Sequence, residues 1–230
     1  MPTVSASKGS ILVIDVARRY NRIAPLYDQL AALWSGGSIA KCHRKLGERL
    51  TKGERTLFVG AGSGQDAAHA AERGVEIVLL DISPSMLTRA EQRVRAVGGD
   101  PELIEIDLRE YETRNQFDSV VVSFFLNIFD DEELPEILNL LNNKIRPDGR
   151  LLVADFSAPA GSSWIRFLQR LYHDIPMQVF SHITGNSVHK IHRLSPALEA
   201  AGFAVTHREA TRIFSVGPEW LEVIECRRHF

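Results

Sequence analysis

The stretch Thr56-Leu57-Phe58-Val59-Gly60-Ala61-Gly62-Ser63-Gly64-Gln65-Asp66-Ala67 leaves this chain the fewest choices of fold. An apolar, strand-like run ends in glycines at every second position, and a helix-like run, Ala67 to Arg73, follows at once. That order specifies a strand, a tight turn and a helix start. Glycine serves there because a side chain would hold a ligand off the backbone, and because some turn positions require a positive φ. The helix start offers unpaired N–H groups and a partial positive charge, which suit an anionic or carboxylate-bearing ligand. The pattern points to a nucleotide-like cofactor without saying which one.

The residues after the turn repeat the same rhythm. Thr56–Gly60 is the first strand, with a helix over Asp66–Arg73, and Val75–Leu80 is the second, closed by Asp81. Ser83 and Pro84 form an N-cap and an N1 proline for a helix whose inward stripe is Met86, Leu87, Ala90 and Val94. Glu102–Ile106, closed by Asp107, reads as strand three, and Phe117–Ser123 as strand four, β-branched enough to be buried on both faces. A helix carrying Leu134, Ile137, Leu138 and Leu141 follows, with acids in its first turn. Pro147–Arg150 is expected to be a turn into strand five, Leu151–Phe156. Leu194–Ala201 is helical with Gly202 as its cap, and Phe203–Glu209 and Trp220–Cys226 are two late strands. Strands spaced by helices imply right-handed parallel βαβ units. The expected fold is α/β, a Rossmann-like, doubly wound seven-stranded sheet, mostly parallel, with an antiparallel hairpin at its C-terminal edge.

With 230 residues, the chain is read as a single domain over 1–230. Residues 15–52 would add an N-terminal helical lid. There Tyr20, Ala24 and Tyr27 share a helical face, Pro25 kinks or divides the helix, and Ile39–Leu50 forms a second one. Residues 157–192 would form a substrate-side insertion, which includes an amphipathic run from Ser162 to Ile175 with Trp164, Phe167, Leu168 and Leu171 on one face. A net charge of −2 and a pI near 6.5 give no global basic field for nucleic acid. Cys42 and Cys226 stand in no metal or redox spacing, so no metal is expected. Ile11–Ile14 is too short for a signal core or a membrane span. The location read from this is cytoplasmic, with contact at a membrane surface left open and the oligomeric state undetermined.

Gly60-Ala61-Gly62-Ser63-Gly64 alone is ambiguous, because Gly62-x-Gly64-x-x-Ala67 also satisfies a dinucleotide fingerprint. An acid at Asp81 suits ribose hydroxyls in either case. Three features separate the readings. Asp107 in Ile106-Asp107-Leu108 can read the edge of an adenine, the late strands suggest an antiparallel edge, and no Ser/Tyr/Lys hydride-transfer grouping follows strand four. These segments, with Asp81–Leu87 and Arg146–Leu152, resemble the ordered motifs of class I S-adenosylmethionine-dependent methyltransferases. Tyr20–Asp28, Asn127–Asp130 and Asp155–Pro159 are similar to segments of the ubiquinone/menaquinone-biosynthesis C-methyltransferases and of bacterial phosphatidylethanolamine N-methyltransferases. The match weakens after residue 160.

The resemblance implies S-adenosyl-L-methionine as cofactor. It assigns the turn of Gly60, Ala61, Gly62 and Gly64 to the methionine part, and Asp81 to the ribose. Ile82 and Met86 would lie against the adenine, whose edge Asp107 and Leu108 would read. Ser123 and Phe124 would lie near the methyl, with Tyr20 and Tyr27 closing over them. The acceptor would be a small molecule or a lipid, for example a quinol or a phospholipid head group. A general base is needed only if the acceptor must lose a proton; the catalytic residue is unknown, with Tyr27, His173, His182 and His189 as candidates and Asp155 as a polar strand end. Two other readings stay open: a cofactor-binding protein without transferase activity, and a nicotinamide-dependent oxidoreductase.

Overall fold

A computed structural model describes residues 34–113, 116–159, 162–167, 169, 191–212 and 219–228. The strands are β1 (Arg55–Val59), β2 (Glu76–Asp81), β3 (Glu102–Glu105), β4 (Phe117–Ser123), β5 (Ile145–Phe156), β6 (Phe203–Arg212) and β7 (Glu219–Arg228). The described helices include α1 (Ser38–Glu48), α2 (Gln65–Ala71), α3 (Pro84–Ala96), α4 (Leu134–Lys144) and α5 (Leu194–Ala200), with a 3₁₀ turn at Leu126–Ile128. The seven strands form one sheet in the order β3-β2-β1-β4-β5-β7-β6. β3, β2, β1, β4 and β5 run parallel, and β7 and β6 are antiparallel, as the alternation and the late hairpin imply.

Side chains alternate between two cores, following the period of two along a strand. Phe58, Val121 and Leu152 face α1, α2 and α3 through Leu46, Ala67, Leu87 and Val94. Leu57, Val59, Val120 and Leu151 face α4 and α5 through Leu138, Leu141 and Leu198. Burial on both faces explains why β1 and β4 read as near-continuous apolar runs. α1 crosses α2 at Gly47, where a Cβ would come within 2.5 Å of His69 Cβ. Glycine is required by that approach rather than by its backbone angle.

Pro147–Arg150 does not precede strand five as a turn, because β5 begins at Ile145. The register against β4 jumps from Phe117↔Ile145 to Ser119↔Arg150, so the extra residues bulge within the strand. Gly149 sits in that bulge, where a Cβ would lie 2.8 Å from Asp118 O. Immediately after it, Arg150 ties together the amino-terminal end of the sheet. It donates to Ser119 Oγ at 3.2 Å, to Arg49 O at 2.8 Å, to Glu54 Oε1 at 2.8 Å and to Glu225 Oε1 at 3.3 Å. A cavity of about 240 Å³ beside Arg150 is lined by charges of both signs, with Glu54, Asp118 and Asp148 facing Arg146 and Arg227. It lies at the end of the strands opposite the glycine turn and takes no part in the site below.

Candidate functional site

The crossovers on either side of β1 and β4 leave in opposite directions, and α2 and α3 cover one face of the sheet while α4 covers the other. In open α/β sheets the ligand crevice opens at such a switch, outside the carboxyl ends of the strands. The glycine turn stands there. Gly60, Gly62 and Gly64 have φ of 61°, 51° and 73°, angles that L side chains rarely adopt. Their surroundings differ. A Cβ on Gly64 would lie 2.7 Å from Ala90 Cα, so this glycine lets α3 pack on the turn. The Phe125 ring lies over Gly60. A Cβ on Gly62 would meet only Gly60 O, at 3.8 Å, so this stretch of backbone faces open space. Arg93, from α3, fixes the turn from behind by donating to Ser63 O at 2.7 Å and Ser63 Oγ at 2.8 Å.

Asp81 ends β2 next to the turn and is 9% exposed. Its carboxylate accepts the Gly62 N–H at 2.9 Å and the Ser83 N–H at 2.9 Å. Burial pushes its carboxyl above the usual range, against the amides of Gly62, Ser83 and Ile82. Two carboxylate oxygens offer about four acceptor positions, so capacity remains for ribose hydroxyls. Ser83 caps α3 by accepting the Met86 N–H at 3.2 Å, as the sequence implied, and Met86 is buried beside half-buried Ile82. Asp107 accepts the Arg109 N–H at 2.8 Å in the turn after β3, next to buried Leu108. Gly60, Ala61, Gly62, Gly64, Asp81, Ile82, Met86, Asp107 and Leu108 therefore all lie at the carboxyl edge of the sheet.

At the end of β4 the chain turns sharply. Phe124 has φ 52°, strained for a bulky residue, and its N–H donates to Ala154 O at 2.7 Å. Its ring centroid is 5.5 Å from Phe156 and 5.6 Å from His43 of α1. Trp34, Phe156 and Trp220 continue this aromatic group at centroid distances of 4.9 to 5.9 Å. Ser123 is not a free hydroxyl, since it donates to Asp66 Oδ2 at 2.8 Å.

Asp66 was not singled out from the sequence, although it stands inside the motif. An acid among alanines on the inward face of a helix was the available signal. It is 3% exposed, and its other oxygen accepts the Ala67 N–H at 3.0 Å. His43 Nδ1 is buried 3.7 Å from Oδ2, within ion-pair distance but beyond a hydrogen bond. Burial pushes the Asp66 carboxyl up, but His43, Ser123 and the Ala67 N–H together outweigh it and hold the acid below its usual range. The first turn of α2 thus carries its own anion.

A second buried acid lies at the end of β5. Asp155 accepts Asn127 Nδ2 at 2.7 Å, the Asn127 N–H at 3.2 Å and the Phe156 N–H at 2.8 Å, which pins the loop after β4. Beside that loop, His192 bonds Asp131 Oδ1 at 3.0 Å and Phe129 O at 2.7 Å. With three donors on it, Asp155 is a fastening rather than an available base. Burial pushes its carboxyl up to about 6 from 3.8. Folding therefore favours the protonated form, and this group's contribution to stability is full below pH ~4 and is lost as the pH rises through ~6. Asp155→Asn removes that decline. Urea midpoints of the variant and parent, followed from pH 4 to 7, should shift relative to one another in the variant's favour; parallel pH profiles would contradict the assignment.

Tyr20, Tyr27, His173, His182 and His189 lie outside the described residues. Of the amphipathic run, the described Trp164 and Phe167 are 65% and 63% exposed. Among the described residues no helix is long and apolar enough to cross a membrane, and no group of ligating side chains forms a metal site. Burial raises the Cys42 and Cys226 thiols to about 11 and about 12, so neither is a nucleophile near neutrality.

Residues 57–149 match the family profile of a methyltransferase domain. The chain is 30% identical over 152 residues to the demethylmenaquinone methyltransferase of Renibacterium salmoninarum, an alignment covering 63% of this chain and 60% of that protein. Among solved structures it resembles the 1,6-didemethyltoxoflavin-N1-methyltransferase of Burkholderia thailandensis, whose crystals hold S-adenosylhomocysteine, with a TM-score of 0.66, 16% identity and coverage of 100% of this chain and 93% of that one. It also resembles the [4+2]-cyclase SpnF, with a TM-score of 0.59, 17% identity and coverage of 83% and 81%. At these identities the structural likenesses show the fold alone.

Proposed function

We propose that this chain, which carries a class I methyltransferase domain, binds S-adenosylmethionine at the glycine turn and transfers its methyl group to a small, largely apolar acceptor. One observation supports this above others: the turn is flanked by two buried carboxylates, Asp66 and Asp81, and its Gly62 N–H is already engaged. A pyrophosphate needs free turn amides and a positive field. This turn offers the reverse, and so favours a nucleoside that carries cations and no phosphate.

The residues fit that cofactor. Gly62 opens the backbone to it, Asp81 has acceptor capacity for ribose hydroxyls, and Ile82, Met86, Asp107 and Leu108 supply an apolar wall and a polar edge. When bound, S-adenosylmethionine supplies a methyl group on a sulfonium, already an excellent leaving group. The chain's part is then alignment, worth up to roughly 7–11 kcal/mol in favourable cases, together with exclusion of water. The ring of Phe124, which follows Ser123 at the end of β4, is backed by the buried rings of Phe156 and Trp220 and by Trp34. An aromatic face attracts a cation by ~0.5–2 kcal/mol, and the group suits a flat or apolar acceptor. Residues 15–52, with Tyr20 and Tyr27, act as the lid, and 157–192 as the acceptor-side segment. There His173 or His182 would take a proton when the acceptor has one to lose, and exposed Trp164 and Phe167 would meet an apolar acceptor or the surface that holds it. The same reading keeps the protein in the cytoplasm.

The curated relative named above is a demethylmenaquinone methyltransferase, and the chain spans about three fifths of its length. A demethylated quinol is therefore the first acceptor to test. Methyl-labelled S-adenosylmethionine, incubated with the protein and a panel of quinols, phosphatidylethanolamine and hydroxyarenes, should yield a labelled product with an apolar ring or lipid. Binding of cofactor with no transfer to any of them would favour a different reaction on this fold, of the kind the cyclase represents.

A further inference from the structure

Asp66 is a buried charge with an unusual set of neighbours. α2 supplies Asp66, β4 supplies Ser123 and α1 supplies His43, so three separate elements converge on one carboxylate at the switch point. Such a charge is costly to bury and is kept ionised here by its partners rather than neutralised. A structural role alone is a poor explanation. The Ala67 N–H and the Ser123 hydroxyl would be met as well by a neutral amide oxygen, and His43 Nδ1, at 3.7 Å, is within ion-pair distance of the carboxylate but does not bond it. The His43 ring is held instead against Phe124, at the bend where the crevice begins.

We propose that Asp66 is a charge-selecting residue: through Ser123 it supplies the negative charge against which the cationic amino-acid end of the ligand binds, and it turns phosphate-bearing nucleotides away. The inference rests on the reading of the site as an S-adenosylmethionine site and adds the residue that recognises the α-ammonium. Asp81, on the other side of the turn, is left to the ribose. The two carboxylates divide the ligand between them, and each has one end within hydrogen-bonding reach of a crevice group, Ser123 Oγ for Asp66 and the Gly62 N–H for Asp81. Because Asp66 acts through Ser123, it is a positioning residue, and its signature is selectivity rather than a general loss of binding.

The test compares three ligands by calorimetry: S-adenosylhomocysteine, its analogue without the α-amino group, and 5′-methylthioadenosine, which lacks the amino-acid part altogether. Wild type should bind the first most tightly. Asp66→Asn should weaken S-adenosylhomocysteine roughly ten- to hundred-fold, the size of one lost charge-assisted interaction, and leave the other two ligands within about twofold of their wild-type affinities. Ser123→Ala, which keeps Asp66 and removes only its link to the crevice, should show the same selectivity to a smaller degree and serves if Asp66→Asn does not fold. Equal weakening of all three ligands, or of none, overturns the inference while the cofactor reading stands. A wild-type protein that binds none of them overturns the cofactor reading, and the inference falls with it.

Discussion

Gly64→Ala should lower the stability of the protein by about 2–5 kcal/mol, whereas Gly62→Ala, two residues away, should leave the fold intact and weaken ligand binding. At Gly64 two costs combine. The residue is held at φ 73°, where an L side chain loses about 1–2 kcal/mol. Its new methyl would also lie 2.7 Å from the Cα and the Cβ of Ala90, and backbone cannot swing aside. Overpacking of that kind costs roughly 1–3 kcal/mol more. Against a total stability on the order of 5–15 kcal/mol, the melting temperature should fall by about 5–20 °C. At Gly62 the backbone cost is similar, but there is no clash, because only Gly60 O lies within 4 Å. The added methyl points instead into the crevice, and the affinity for S-adenosylhomocysteine should drop roughly ten- to hundred-fold. Thermal melts and calorimetry on the two variants decide the matter. If Gly64→Ala melts with the parent, the packing argument fails; if Gly62→Ala binds as the parent does, the ligand does not lie against the turn.

Asp81→Asn should reduce affinity for S-adenosylhomocysteine roughly ten- to hundred-fold, with equal loss for 5′-methylthioadenosine, which keeps the ribose. With three amides on the carboxylate, about one of its four acceptor positions is left, and a hydrogen bond from a ribose hydroxyl to it is worth roughly 1.5–3 kcal/mol. The amide would also turn an –NH₂ toward one of the N–H groups that Asp81 now accepts, from Gly62 or Ser83. Some loss of stability should accompany the loss of binding. Equal loss for both ligands separates Asp81 from Asp66, whose replacement should spare 5′-methylthioadenosine.

How much of this was legible in the sequence follows from the range of the interactions. The strand, glycine turn and helix of β1 and α2 are local, each residue's role being set by its near neighbours, and they read correctly from Thr56 to Ala67. So did the Ser83-Pro84 cap, which is built from residues within one turn of helix. Pro147–Arg150 reads as a turn before strand five because proline and glycine signal a turn whether the chain leaves the sheet or bends within it. The polar side of the site was hidden for a different reason. Ser123 lies 57 residues from Asp66, and Asn127 lies 28 from Asp155, so neither pairing leaves a trace in spacing or periodicity. The strained backbone of Phe124 was equally silent, since phenylalanine is not a residue chosen for positive φ. His43 sits on a helix whose sequence reads as ordinary packing, and only the fold brings it to Asp66.

The most direct test of the central claim is a calorimetric titration of the purified protein with S-adenosylhomocysteine and, separately, with NADH. The buried carboxylates on either side of the glycine turn predict micromolar binding of the first and none of the second. Binding of NADH, or of neither, would contradict the assignment of this turn to a phosphate-free, cationic nucleoside.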